Sequence, residues 1–297
     1  MEEKIKVIID TDLGDDIDDA FAIALTTHLK NVEILGITTV YRNVDLRSKI
    51  VLAIKDMVGG NFPVIAGHDT PLVQPVKYFN FEQKQADGRP IITHYDESME
   101  KYTDYTYGAE DFILDTADKY KGEVVLISLG PATNVAKAIQ KSPERFNNLK
   151  ELLIMGGDPS LERAEWNVRC DPEAFDIMMK CPLKKTIVGL DITNQCAINS
   201  ERLERIFALD GDLNKLVVKM LKRWISDRPT KTPTMHDPLT TALLGKSFCQ
   251  FEDASLRISL EGEDRGKSYK IPSETDKLAV SVDSGAFLDW MIEKLGE

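Results

Sequence analysis

The chain reads as an α/β protein: one domain with a mostly parallel central sheet flanked by helices, and a small antiparallel part towards the C-terminal end. Three observations predict this. Short β-branched runs alternate with amphipathic helical patterns through roughly the first two-thirds of the sequence, as strands joined by crossover helices do. Those runs are apolar enough to lie in a sheet covered on both faces. A later stretch, residues 254–282, alternates in the manner of antiparallel strands.

In chain order, the strand candidates are residues 6–10, 32–40, 63–66, 123–128, 149–155 and 185–190. Between them, residues 18–29, 45–57, 109–120 and 134–141 are amphipathic at helical spacing. After Asn199 the pattern turns helical, over 201–209 and 213–226. Residues 227–234 are polar and carry Pro229 and Pro233, so they read as a mobile loop. The alternating stretch turns around residues 261–267, and 284–295 reads as a closing helix. With 297 residues, 42% hydrophobic content and no internal repeat, a single domain over 1–297 is expected.

A net charge of -12 and a pI near 5.0 count against nucleic-acid polymers as partners, because phosphate backbones are bound by clustered Lys and Arg. No signal peptide and no membrane-length apolar run is apparent. Cys170, Cys181, Cys196 and Cys249 are widely spread and form no C-x-x-C pair, which fits reduced thiols and a cytoplasmic location.

The chemistry concentrates after the first strand. IIDTDLGDDIDDAFAIAL places Asp10, Asp12, Asp15, Asp16, Asp18 and Asp19 close together with no basic residue among them. Such crowding raises carboxylate pKa values and opposes folding unless a cation neutralises it, and hard oxygen donors select calcium or magnesium. The cluster also follows a strand, where ligands of open α/β sheets gather. A structural alternative is that Asp18 and Asp19 serve the next helix as caps. An EF-hand fits poorly, because its alternating acids, central Gly and terminal Glu are missing. Strand followed by Asp-x-Asp is also shared with haloacid-dehalogenase-type phosphatases, which leaves Asp18 and Asp19 without a role.

Further segments follow in order: ITTVYRNV (37–44), GHDTPL (67–72), LGPATN (129–134), MGG (155–157), AEWN (164–167) with DPEA (171–174), GLDIT (189–193) and HDPL (236–239). With the DTDxG and DDA signals of the aspartate cluster, the sequence resembles the inosine-uridine nucleoside hydrolase family across nearly its whole length. That resemblance implies calcium-dependent hydrolysis of the N-glycosidic bond of ribonucleosides, giving free base and ribose, in nucleoside salvage. It implies a general base and calcium ligand at Asp12, further ligands at Asp19 and Asp237, and a backbone-carbonyl ligand at Leu129. It places ribose hydroxyls against Asp18, Asn43, Glu165 and Asn167, an imidazole near the departing base at His236, and a homo-oligomer, dimer or tetramer.

The residues carry bland readings too. His236 can be structural at a helix start, Asn43 a turn residue and Glu165 a solvated loop acid; Trp166 reads as core packing and Trp224 as the better stacking candidate. The first motif is two residues longer than the common DTDxGxDDA, so Asp15 or Asp16 can replace Asp18 or Asp19 at the metal. The segment between Met155 and Glu165 is short and lacks an asparagine for the 5′-hydroxyl, and His94 is a weak candidate for a lid residue. Two other functions stay open: a magnesium phosphatase with an aspartate nucleophile, and a nucleoside- or sugar-binding module without turnover.

Overall fold

Strand β1 (Ile5–Thr11) runs through the middle of the sheet, and its sequence IKVIIDT shows why. Every residue from Val7 to Thr11 is buried, so the strand has no wet face and only a covered position suits it. The computed structural model describes residues 4–76, 92–160 and 163–297.

After β1 come α1 (Asp18–His28), β2 (Val32–Thr39), α2 (Val44–Met57), β3 (Val64–Ala66), β4 (Thr106–Tyr107), α3 (Ala109–Lys119), β5 (Val124–Ser128), α4 (Thr133–Lys141), α5 (Pro143–Phe146) and β6 (Glu151–Met155). The second half adds α6 (Trp166–Cys170), α7 (Pro172–Lys180), β7 (Lys185–Val188), α8 (Leu190–Thr193), α9 (Ser200–Phe207), α10 (Asp212–Asp227), α11 (His236–Ala242), β8 (Cys249–Ile258), β9 (Ser268–Val282) and α12 (Ser284–Leu295). The strands form one sheet in the order β4-β3-β2-β1-β5-β6-β7-β9-β8. All neighbours are parallel except β8 and β9.

Two apolar layers cover the faces. Phe21 and Leu25 of α1, Ile50 of α2, Leu221 of α10, Leu239 of α11 and Phe287 of α12 pack in one cluster. Ile113 of α3, Val135 of α4 and Phe175 of α7 pack in the other. Local chemistry sets several helix starts. The Asp171 carboxylate accepts from Ala174 N at 3.2 Å with Pro172 in the first turn of α7, and Asp283 accepts from Ala286 N at 3.0 Å to open α12.

The expected parallel sheet with a C-terminal antiparallel pair is present, with five strands one or two residues shorter than expected: 63–66 begins at Val64 and 123–128 at Val124. The run 32–40 ends at Thr39, 149–155 begins at Glu151, and 185–190 ends at Val188, after which α8 begins. The hairpin begins earlier than residue 254, because a shift of register beside Asp253 lets Cys249 continue to pair with Val282. The segment 227–234 differs most from expectation. Asp227 closes α10, Thr234 bridges to Ala197, and backbone bonds of 2.9 and 3.0 Å join Ile198 N to Pro233 O and Met235 N to Cys196 O. Its far end is tied to the body of the protein.

Strand order fixes where a ligand can sit. From β1 the chain proceeds to β2, β3 and β4 on one side, while β5 and its successors fill the other, so a crevice opens beyond the ends of β1 and β5. Asn134 holds that end together. Its Nδ2 donates to Asp10 Oδ1 at 2.7 Å and to Thr39 O at 3.0 Å, and its Oδ1 accepts from His68 N at 2.8 Å. Asn134→Ala is therefore expected to cost at least about 2 kcal/mol, because buried donors and acceptors lose their partner. A urea titration with an unchanged m-value measures it; a shift under about 0.5 kcal/mol would show that this amide does not hold the strand ends.

Candidate active site

The two aspartates of the DTD segment have different environments. Asp10 is completely buried and accepts from Thr38 Oγ1 at 2.5 Å and from Asn134 Nδ2 at 2.7 Å. Burial pushes its pKa up to about 7 against those two bonds. A haloacid-dehalogenase-type phosphatase would attack with this first aspartate, which here is locked between strands and does not line the cavity. Asp12 does line it. Burial raises its pKa to about 6; the Arg47 guanidinium opposes that rise and Asp15 adds to it. A Cβ on Gly130 would lie 3.0 Å from both the backbone N and Oδ1 of Asp12, so a glycine there lets the chain after β5 lie against this carboxylate.

Beyond Asp12 the two extra residues of the motif form a loop held by arginines. Asp15 Oδ2 accepts from Arg42 Nη2 at 2.6 Å and from Arg47 Nη2 at 2.8 Å. The side chain of Arg47 is fully buried; its Nε reaches Tyr41 O at 2.7 Å, and its Nη1 donates to the carbonyls of Leu13, at 2.9 Å, and Asp12. Gly14 turns this loop with φ +136°, where a Cβ would meet Ile92 Cγ2 at 2.6 Å. Asp15 is thereby committed to arginine, and Asp16 accepts from Ile17 N at 2.7 Å.

Three of the aspartates come together. Asp18 and Asp19, at the head of α1, and Asp237, in the first turn of α11, are all buried, and one ligand atom from each lies within 4.8 Å of the others. Asp15 and Asp16 are outside that group, and so is Asp12, although it lines the same cavity. Thr11 Oγ1 donates to Asp19, and Asp237 N donates to Asp18 Oδ2 at 3.2 Å, joining the two ends of the chain. No lysine or arginine among the described residues forms an ion pair with the three. Burial and the neighbouring carboxylates hold all three pKa values well above the usual range. Hard, crowded and unneutralised oxygen donors fit a divalent cation such as calcium or magnesium.

Residues from the other half complete the wall. One cavity of about 460 Å³ is lined by Asp12, Asp15, Asp16, Asp18, Asp19, Leu129, Met155, Glu165, Trp166, Asn167, Leu190, Trp224, Arg228, Lys231, Thr232, Thr234, His236 and Asp237. Glu165 is buried rather than solvated. Its oxygens accept from Asn167 N at 2.9 Å, Gly157 N at 3.1 Å and Val168 N at 3.3 Å, capping α6 while facing the cavity, and burial raises its pKa. Asn167 Nδ2 donates to Leu129 O at 2.8 Å, which fixes the carbonyl and leaves the Asn167 Oδ1 as an acceptor. Thr193 Oγ1 lies 2.7 Å from His236 Nδ1, and burial lowers the pKa of that imidazole against the opposing charge of Asp16.

The structure leaves two expected residues out of the wall. Tyr41 and Arg42 take the left-handed conformation, φ 68° and 58°, and the kink leaves Asn43 exposed at the head of α2, outside the cavity lining. His94 is buried away from the cavity with neither ring nitrogen bonded, and its pKa falls to about 3 through burial and the charges of Arg228, Arg223 and Arg47. Trp166 packs against the small core cluster of Val40, Tyr41 and Cys170, edge-on to Tyr41 at 6.4 Å, and also lines the cavity, as does Trp224. Arg228, Lys231, Thr232 and Thr234 were not legible as site residues; their signal in the sequence is only a polar loop beside HDPL.

Comparison with known proteins decides the family. The sequence profile of the inosine-uridine preferring nucleoside hydrolases matches residues 7–289. The chain belongs to that family. It is 27% identical to probable uridine nucleosidase 2 of Arabidopsis thaliana, over 99% of this chain and 98% of that protein. It is 24% identical to the non-specific ribonucleoside hydrolase RihC of Salmonella paratyphi C, over 99% and 98%. Among solved structures, the purine-preferring ribonucleoside hydrolase from Gardnerella vaginalis superposes with TM-score 0.85 at 25% identity, covering 98% of each chain. A plant nucleoside hydrolase, PpNRh1, shares the fold with TM-score 0.80 at 24% identity, again over 98% of each. As a nucleoside hydrolase the protein is an N-glycosyl hydrolase. No helix among the described residues is long and apolar enough to cross a membrane.

The raised carboxylates give a test with a defined sign. A carboxylate whose pKa is higher in the folded state binds more protons folded than unfolded, so its contribution to stability falls as pH rises through that window. For Asp12 the window runs from 3.8 to about 6, and Asp18, Asp19 and Asp237 act in the same direction; Asp10, raised to about 7 outside the cavity, acts equally with and without metal. His94 acts in the opposite direction but equally with and without metal. Melting curves in chelator are expected to fall relative to those in calcium as pH rises from about 4 to about 7. A constant difference across that range would mean that these carboxylates do not hold a cation.

Proposed function

We propose that this nucleoside hydrolase uses calcium to hydrolyse ribonucleosides to free base and ribose, with Asp12 as general base and His236 as general acid. The observation that carries the reading is a single cavity joining Asp12, Asp18, Asp19 and Asp237 from the two ends of the chain with the imidazole of His236. Asp18, Asp19 and Asp237 are the residues that would hold the ion, with Asp12 and the Leu129 carbonyl beside them. When bound, calcium supplies a hard centre for ribose hydroxyls and an environment in which water loses a proton more easily.

The protein's own groups then divide the work. Glu165, Asn167 and the carboxylates around Asp18 accept from ribose hydroxyls and orient the sugar. Asp12, with a pKa near 6, is ionised at neutral pH and takes a proton from the attacking water. The water oxygen bonds to the anomeric carbon as the bond to the base nitrogen breaks, and that electron pair leaves with the base. The acidic wall stabilises positive charge that develops on the sugar only during this step. With the Thr193 hydroxyl turned to Leu190 O, its oxygen accepts from Nδ1–H of His236, so Nε2 takes up a proton from solvent and, as imidazolium, passes it to the departing base, returning to the neutral form that burial favours.

Exhaustive chelation is expected to abolish ribose release from a nucleoside panel, with calcium restoring it. Asp12→Asn is expected to slow single-turnover chemistry by at least about a hundredfold with the metal still bound. Near-normal turnover in that variant would move the base role to another carboxylate. A protein that is stabilised by nucleosides but releases no ribose under any metal condition would be a binding module.

His236→Ala separates chemistry from support. Acid catalysis predicts a loss of roughly ten- to ten-thousandfold for natural nucleosides, with nitrophenyl riboside spared because its phenolate leaves unaided. Equal losses on both substrates would reduce His236 to a support for Asp237.

A further inference from the structure

The cavity wall is not acidic throughout: the segment that leaves α10 and enters α11 contributes Arg228 and Lys231 to it. Neither has a carboxylate partner among the described residues, whereas Arg42, Arg47 and Arg223 nearby are all ion-paired.

Arg228 is held in place by neutral groups. Its Nη2 donates to Asp15 O at 2.8 Å, its Nη1 donates to Thr93 Oγ1 at 3.0 Å, and the guanidinium lies over the Trp224 ring at 5.4 Å. These contacts fix its direction without neutralising its charge, and a guanidinium has more N–H donors than they use. A turn from Lys231 N to Arg228 O, 3.0 Å, brings the lysine round to the same wall. A fixed cation with spare donors in a cavity wall is arranged for an anionic or strongly accepting group.

The chain order places that group on the substrate. Thr232, Thr234 and His236 continue the same wall, and Asp16, adjacent to the residue whose carbonyl anchors Arg228, acts electrostatically on His236. We propose that Arg228 and Lys231 form a specificity subsite for negative charge on the nucleobase. The favoured substrates are then ribonucleosides whose base ionises near neutral pH. This inference rests on the ribonucleosidase reading, in which His236 faces the base.

The test uses the full chain with calcium and two matched pairs of probes. Xanthosine gives up a base proton near neutral pH and inosine keeps its own; urate is anionic at neutral pH and hypoxanthine is neutral. Arg228→Gln and Lys231→Glu should each lower kcat/KM for xanthosine by about tenfold more than for inosine, the scale of one charged hydrogen bond. Calorimetry should show urate binding more tightly than hypoxanthine, with that advantage lost in both variants. Lys231 is exposed, so its substitution reports on charge without threatening the fold.

Equal losses on xanthosine and inosine would overturn the subsite and leave Arg228 as an anchor of the loop. A charge effect confined to nucleoside 5′-monophosphates would also overturn it, by moving the anion to the sugar. If no nucleoside is hydrolysed but urate still binds in a charge-dependent way, the hydrolase reading fails and the subsite stands. Urate binding no tighter than hypoxanthine refutes the subsite whatever the turnover.

Discussion

Mutual repulsion among buried carboxylates is the constraint around which this protein is arranged. Asp12, Asp18, Asp19 and Asp237 converge in a site that water does not solvate well, where like charges cost far more than at a surface. The fold answers part of this itself, since Arg42 and Arg47 engage Asp15 and pin the carbonyls of Asp12 and Leu13. Among the described residues no lysine or arginine forms an ion pair with Asp18, Asp19 or Asp237, although the Arg47 charge reaches Asp19. A site that opposes its own folding in this way persists where a ligand offsets the cost, and here the donor chemistry fits a divalent ion.

The sheet makes that convergence possible. Because β5 returns beside β1, residues 12 and 129 end on adjacent strand tips. The helix starts at Asp18 and His236 then face the same crevice, joined by the bond from Asp237 N to Asp18. Capping does double service at Glu165, whose bonds to three backbone N–H groups fix a carboxylate in the wall while starting α6. Asp10 lies one strand position before Thr11 yet serves only as a strut between β2 and α4.

A cavity that carries both a carboxylate cluster and two cations with no carboxylate partner among the described residues gives polarity to whatever it binds. Charge that develops positively on a sugar favours the carboxylates, and electron density that leaves with a base favours the cations. The imidazole of His236 shares this cavity, where burial lowers its pKa and the Asp16 carboxylate raises it.

The sequence by itself determined the architecture and the kind of chemistry. Apolar β-branched runs alternating with helical spacing required a covered parallel sheet, and six aspartates without a basic neighbour required a cation or a counter-charge. Tertiary structure decided which aspartate does what. Asp15 differs from Asp18 because two arginines 27 and 32 residues away reach it, which spacing within the motif cannot report. It also decided that Asn43 faces outward, because Tyr41 and Arg42 adopt positive φ without any glycine to signal it. Trp166 and Arg228 became wall residues for the same reason: a side chain's direction depends on contacts distant in sequence, and local pattern carries only its burial preference.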